Sequence, residues 1–266
     1  MESFDRVMRF FYNQKSVTPG NWLAEYKDSE FNSPTRSTVP LLDALRQEQP
    51  PVFLWELLKA SGLNPEATDL HLEYQVKPSR GRGQASHTDL MAIEAAPANR
   101  ALAVEAKWTE PRYETVSKWL GGGTAPENRR LVLRGWLDQI ESHAAGTIAT
   151  DDCGELIYQM VHRAASAVSA SGPGGHPAMA YLVFHDGDAG HLDDCRSDLC
   201  RLRSAIGKVE GFPFFLVFVP LHETDAFCKV KDLKKGDAET GRAVRQSLAQ
   251  GSLPLFRFGK PHIERI

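Results

Sequence analysis

Apolar positions along this chain recur with two different periods, and the changes of period mark out its elements. From Glu155 to Ala170 they fall at helical spacing, with Leu156, Ile157, Met160, Val161, Ala164, Ala165 and Val168 on one face. Asn128 to His143 reads as a second helix with Leu131, Leu133, Trp136, Leu137 and Ile140 inward. Leu41 to Ala60 also has the helical period, but Pro50-Pro51 must interrupt it, because proline lacks an N–H and clashes with the preceding turn. Two helices are therefore predicted, 41–47 and 52–59, with Gly62 closing the second. Further helices are predicted over 192–206 and near 242–249, with short ones over 4–12 and 22–26.

The period-two segments are fewer. Leu70 to Val76 alternates as a strand. Ser86 to Lys107, SHTDLMAIEAAPANRALAVEAK, holds two short apolar runs on either side of Glu94 to Arg100, where Pro97 and Asn99 favour a turn. This stretch predicts a β-hairpin. Met179 to Phe184 and Phe212 to Val219 are continuous apolar runs, as expected of strands buried on both faces. The resulting order is helix, three strands in hairpins, helix, buried strand, helix, buried strand. It predicts an α/β fold with a mixed central sheet flanked by helices. A single domain spans 1–266, with a core over about 41–220, an N-terminal extension over 1–40 and a C-terminal αβ extension over 221–266.

Composition adds mainly exclusions. At 266 residues, 42% hydrophobic and 24% charged, the chain is ordinary for a soluble globular protein. No run approaches the roughly 18 apolar residues of a membrane span. The start, MESFDRVMRFFYNQK, is charged throughout and lacks the apolar core of a secretory signal, so a cytoplasmic protein without a membrane partner is expected. A net charge of −3 and a pI near 6.3 count against a non-catalytic DNA-binding module, which usually needs a basic surface. They count less against a nuclease, whose acidic cluster offsets local basic patches. Cys153, Cys195, Cys200 and Cys228 form no CxxC pair and read as free thiols. Gly121 to Gly123 reads as a flexible connection, since no Lys-Ser/Thr follows to make a phosphate loop. His185-Asp186-Gly187-Asp188 and His191-Leu192-Asp193-Asp194 follow a buried strand and read as a turn with a capped helix.

The candidate chemistry lies in the hairpin. It brings Asp89 beside Glu105 and Lys107, and the strand period puts Glu105 and Lys107 on one face. Two carboxylates and a lysine converging on one face are expensive to bury unless they bind a cation; the alternative is a cross-strand salt-bridge cluster. Mg²⁺, with Mn²⁺ able to substitute, fits such a donor set: Asp89, Glu105 and the main-chain carbonyl of Ala106. Lys107 would orient or help deprotonate an attacking water. Glu73 is the first candidate for a third acid and Glu56 the second. Between the strands lies the basic loop KPSRGRGQ, where Arg80 and Arg82 belong either to a solvated turn or to a phosphate-contacting one.

Thr88-Asp89 followed by Glu105-Ala106-Lys107 resembles the active-site signature of the PD-(D/E)XK nuclease superfamily, with Thr88 where the family usually has proline. More narrowly, Leu72-Glu73-Tyr74, Asp89, Val104-Glu105-Ala106-Lys107-Trp108-Thr109-Glu110 and Tyr158-Gln159-Met160-Val161-His162-Arg163 look like a group of putative restriction-endonuclease-like proteins. The resemblance spans roughly residues 70–165. It implies a restriction-endonuclease-like core (helix, three-strand meander, helix, strand) and Mg²⁺-dependent hydrolysis of DNA phosphodiesters in restriction, defence or repair. It also implies that Gln159 contacts water or phosphate, and that Arg163, four residues on and on the same helix face, contacts substrate. Cleavage of both strands implies a homodimer. The alternatives are a nucleic-acid-binding protein on the same fold without turnover, and a nuclease that needs a partner subunit.

Overall fold

The computed structural model describes residues 9–18, 21–47, 50–123, 125–187, 190–207, 209–250 and 253–266. After two short strands, β1 (Phe10–Tyr12) and β2 (Lys15–Val17), come helices α1 (Thr38–Leu45) and α2 (Val52–Ala60). The meander follows as β3 (Thr68–Val76), β4 (Ser86–Glu94) and β5 (Arg100–Lys107). Helices α3 (Val116–Gly121), α4 (Pro126–Glu141) and α5 (Tyr158–Ser171) lead to β6 (His176–His185), then α6 (Gly190–Ile206) and β7 (Phe214–Glu223). The chain finishes with α7 (Asp225–Cys228), α8 (Ala238–Gln250), β8 (Phe256–Phe258) and β9 (His262–Arg265).

The strands form one mixed sheet in the order β2-β1-β3-β4-β5-β6-β7-β8, with β9 also on β7. Short loops make β3, β4 and β5 antiparallel. The helical crossovers before and after β6 make β5, β6 and β7 parallel, because a parallel pair needs a long return connection. One face of the sheet buries Leu70, Leu90, Leu102, Val104 and Leu182 against α1, α2 and α8. The other buries Met91, Ala101, Ala103, Tyr181 and Val183 against α4, α5 and α6. The predicted α/β class with a mixed central sheet flanked by helices is therefore correct, and the covered faces explain the unbroken apolar runs of β6 and β7.

Several local expectations are revised. Phe10–Tyr12 is a strand paired parallel with β3, not the end of a helix; residues 4–8 lie outside the described ones. Three apolar residues in a row carry no period, so the sheet edge decides their conformation. Trp22–Glu25 is a single 3₁₀ turn. Leu131 is 50% exposed and Val132 faces inward instead, because the loop between β3 and β4 lies across α4. Gly81 of that loop packs so closely on Val132 that a Cβ there would come within 2.6 Å of it. Leu156 and Ile157 are buried as expected, but α5 begins only at Tyr158. Before it the backbone pairs with the segment that leads into α3: Val116 N–H donates to the Leu156 carbonyl and Tyr158 N–H to the Glu114 carbonyl.

The irregularity that matters for the site is in β3. Leu72 pairs with Leu90 and Tyr74 with Thr88, while Glu73 between them adopts φ 51° and the ladder skips it. A non-glycine residue in this conformation costs about 1–3 kcal/mol. Leu70 and Leu72 face the α1/α2 layer, whereas Tyr74 and Val76 pack on the α4/α5 layer. The alternation of faces thus inverts at Glu73, opposite Asp89.

Candidate active site

The β4–β5 ladder runs from Glu94 and Arg100 to Leu90 and Val104. Beyond that point the Asp89 side chain takes over: its Oδ2 accepts the Ala106 N–H at 2.8 Å. Glu105 shares its face with Ala101 and Ala103, under α5, and is 3% exposed. Its Oε1 accepts from Lys107 Nζ at 2.8 Å and Gln159 Nε2 at 2.6 Å, and its Oε2 accepts from Arg163 Nε. Gln159 and Arg163 stand four apart on α5, so both reach Glu105 from one helix face. The Tyr181 hydroxyl donates to Gln159 Oε1 at 3.3 Å, which fixes the amide with its NH₂ toward Glu105.

Arg163 is held in turn. Its Nη1 donates to Ser86 Oγ, and Ser86 Oγ lies 2.8 Å from His162 Nδ1. Since Arg163 supplies a proton to Ser86, the Ser86 hydroxyl hydrogen is directed at Nδ1, and the imidazole proton is assigned to Nε2. Burial, reinforced by the Arg163 and Lys107 charges, pushes His162 well below the usual histidine range, consistent with an accepting Nδ1.

The formal charges of Asp89, Glu105, Lys107 and Arg163 cancel, but they are unevenly matched. Burial alone would raise Glu105; Arg163 and Lys107 more than offset it and hold the carboxyl below its ordinary value. Asp89 keeps some solvent exposure, yet burial and the neighbouring Glu105 charge push it well above the carboxylate range. Burial would lower Lys107 and Arg163, but Glu105 and Asp89 outweigh it, so both are held firmly as cations. Among the described residues the one hydrogen bond to Asp89 is that from Ala106, which leaves Oδ1 without a donor.

The other predicted residues divide. Glu73 is near the cluster, and its charge adds to the upward push on Asp89; its own closest partner is His87 Nδ1, 3.4 Å from Oε2. Glu56 is exposed on α2, which packs on the face of the sheet opposite to the one that carries Glu105. Ala106 contributes its N–H to Asp89 and buries its methyl in the opposite layer. Arg163, expected at the substrate, is 5% exposed and engaged with Glu105 and Ser86. Arg80 is tied to Asp138 at 2.5 Å. Arg82 is exposed, with its main-chain N–H and carbonyl fixed by Asn128. In the His185–Asp194 stretch, Asp188 lies outside the described residues.

Sequence reasoning gave no role to Ser86, His162, Tyr181 or Glu110. Glu110 accepts the Ser37 N–H and hydroxyl, both at 2.7 Å, and the Trp108 N–H at 2.9 Å, which anchors the chain just past Lys107 to the start of α1. The helical spacing of Tyr158, Gln159, His162 and Arg163 was the available signal for His162. No local signal marks Ser86 or Tyr181, whose partners are distant in sequence. Beside the cluster, Lys107 and Gln159 line a small open cleft. Trp108, Tyr113 and Met160 line it, together with Arg112, which forms a bidentate pair with Asp198 at 2.8 and 2.6 Å.

Among the described residues, no group of three or more His, Cys, Asp and Glu side chains is arranged to hold a metal. A hard divalent cation needs less than that, because one or two carboxylates suffice when water and phosphate complete the sphere. The open Asp89 Oδ1 and the remaining lone pair of Glu105 Oε2 are donors of the right type. No curated protein matches the chain, and no solved structure does. The profile of a family described as a domain of unknown function, DUF6946, matches residues 15–216, about three quarters of the sequence, and the chain belongs to that family.

Proposed function

We propose that this protein is a Mg²⁺-dependent endonuclease on a restriction-endonuclease-like core, hydrolysing DNA phosphodiester bonds, with Mn²⁺ able to replace Mg²⁺. The observation that carries this reading is the convergence of Asp89, Glu105, Lys107 and Gln159 where β4 and β5 part, with Asp89 Oδ1 open. Asp89 and Glu105 would hold the ion, with the Ala106 carbonyl as a further candidate. Such an ion supplies charge neutralisation on the phosphoryl oxygens and a more acidic water.

The chain's own groups do the positioning. Lys107, whose Nζ donates to Glu105 Oε1, would also donate to the attacking water and to phosphoryl oxygens. Gln159 and Arg163 fix the rotamer of Glu105 instead of meeting substrate directly. Glu73 adds negative charge at the rim of the site. Arg82, and to a lesser degree Arg80, would contact the phosphate backbone beyond the cleaved bond. A homodimer would let two such sites cut both strands.

The test is plasmid DNA incubated with purified protein and Mg²⁺ or Mn²⁺, alongside Asp89→Ala and Lys107→Ala. Wild type is expected to nick or linearise the plasmid and the variants to fail; equal cutting by all three would remove these residues from the mechanism. A second reading is favoured by the saturation of Glu105 with three donors: a nucleic-acid-binding protein that turns over only with a partner subunit, or not at all. It predicts DNA retention without product at any Mn²⁺ concentration.

A further inference from the structure

Within the metal-dependent reading, on which this inference rests, we infer that the Asp89–Glu105 cluster takes one divalent cation and not two, because the buried Arg163 guanidinium already uses a Glu105 oxygen and supplies the positive charge that a second ion would. Paired ions about 3.5–4 Å apart need oxygens that bridge them and further carboxylates around them. Glu105 cannot bridge while it carries Lys107 and Gln159 on Oε1 and Arg163 on Oε2. Asp89 has Oδ2 committed to the Ala106 N–H, so one of its oxygens is open.

Charge gives the same answer. The four side chains cancel one another. One divalent cation adds two positive charges, which the phosphodiester and Glu73 at the rim offset. A second cation would leave two unbalanced beside Glu105 and Arg163, which are 3% and 5% exposed, and uncompensated charge at that depth is costly.

Arg163 is also fastened against making way. Its Nε is on Glu105, its Nη1 is on Ser86, and Ser86 is backed by the neutral His162. Ser86 and His162 are accordingly positioning residues: they hold the cation that the protein supplies in place of a second metal.

The experiment is titration of Mn²⁺ into the metal-free full chain, read by calorimetry and by electron paramagnetic resonance of free Mn²⁺. Wild type is expected to bind one Mn²⁺ per chain, and Asp89→Asn to bind none. Arg163→Met, which keeps the stem and removes the charge, is expected to bind two. Arg163→Lys, which keeps a positive charge at that position, stays at one. Two ions in wild type would overturn the inference and leave the nuclease reading standing. One ion without any DNA cleavage supports the inference and overturns the nuclease reading. No ion in a folded chain removes both. A folded Arg163→Met that stays at one ion shows that the guanidinium is not the excluding group, and the inference falls. Should Arg163→Met not fold, Arg163→Gln is titrated in its place: two ions support the inference and one overturns it.

Discussion

Two aspartates sit inside this protein under opposite conditions. Asp43, in α1, is 0% exposed and saturated: Oδ1 accepts the Leu255 N–H at 3.0 Å and Arg46 Nε at 2.8 Å, and Oδ2 accepts the Phe256 N–H at 2.9 Å. Its work is to fasten β8 and the turn before it onto α1. Asp89 lies at the end of a β ladder with one oxygen bonded and the other open, pushed up by burial and Glu105. A buried carboxylate that only holds the fold together is surrounded by fixed donors, since an unpaired one costs stability. Asp89, only half-buried, keeps one oxygen that no protein donor takes.

That contrast can be broken in several ways. The largest effect is expected in catalysis: Lys107→Ala should lower cleavage by about 10²–10⁴-fold, the range for losing a positioned proton-handling or charge-stabilising group, with far-UV circular dichroism unchanged. Next is stability. Asp43→Ala should cost about 3–5 kcal/mol in urea unfolding, because buried donors lose a charged acceptor. Asp89→Asn should leave the metal-free chain at least as stable as wild type. A large loss from Asp89→Asn would make Asp89 a second Asp43, and the site would be structural.

The pH dependence sharpens the same comparison. The folded-state pKa of Asp89 is raised above its unfolded value near 3.9, so its favourable contribution is complete below that value and is lost as pH rises through the folded pKa. Glu105 is lowered, so its contribution is present above the ordinary glutamate value and lost as pH falls through the folded one. The difference in melting temperature between metal-free wild type and Asp89→Asn should therefore widen with rising pH in favour of the variant, and saturating Mn²⁺ should reverse it. A difference independent of pH would remove the upward push on Asp89. The smallest effect concerns the arginines of the basic loop. Arg82→Ala should weaken DNA binding in Ca²⁺ and reduce the salt slope by about one. Arg80→Ala should do less, because Arg80 is already paired with Asp138.

Much of this was readable along the chain. The hairpin, the pairing of Asp89 with Glu105 and Lys107, and the common face of Gln159 and Arg163 follow from short-range periods. What was not readable has a common cause. Arg163 read as a substrate contact, since nothing local indicates that a serine 77 residues earlier would hold it. Three-residue strands such as β1 and β8 have no period to detect; β1 exists through its pairing with β3, and β8 through β7 and Asp43. Leu131 and Val132 exchanged places because the 77–85 loop, not the helix itself, chose which side of α4 to cover.

By itself, then, the sequence determined the order of the longer elements and the α/β class. Side-chain alternation, helical spacing and proline or glycine punctuation act over a few residues and are written locally. The tertiary structure alone decided which charge meets which. It inverted the faces of β3 at Glu73, placed Arg163 on Glu105 and left Asp89 Oδ1 open. Those outcomes depend on strands and helices separated by tens of residues competing for the same buried donors and acceptors, and no local pattern records who wins.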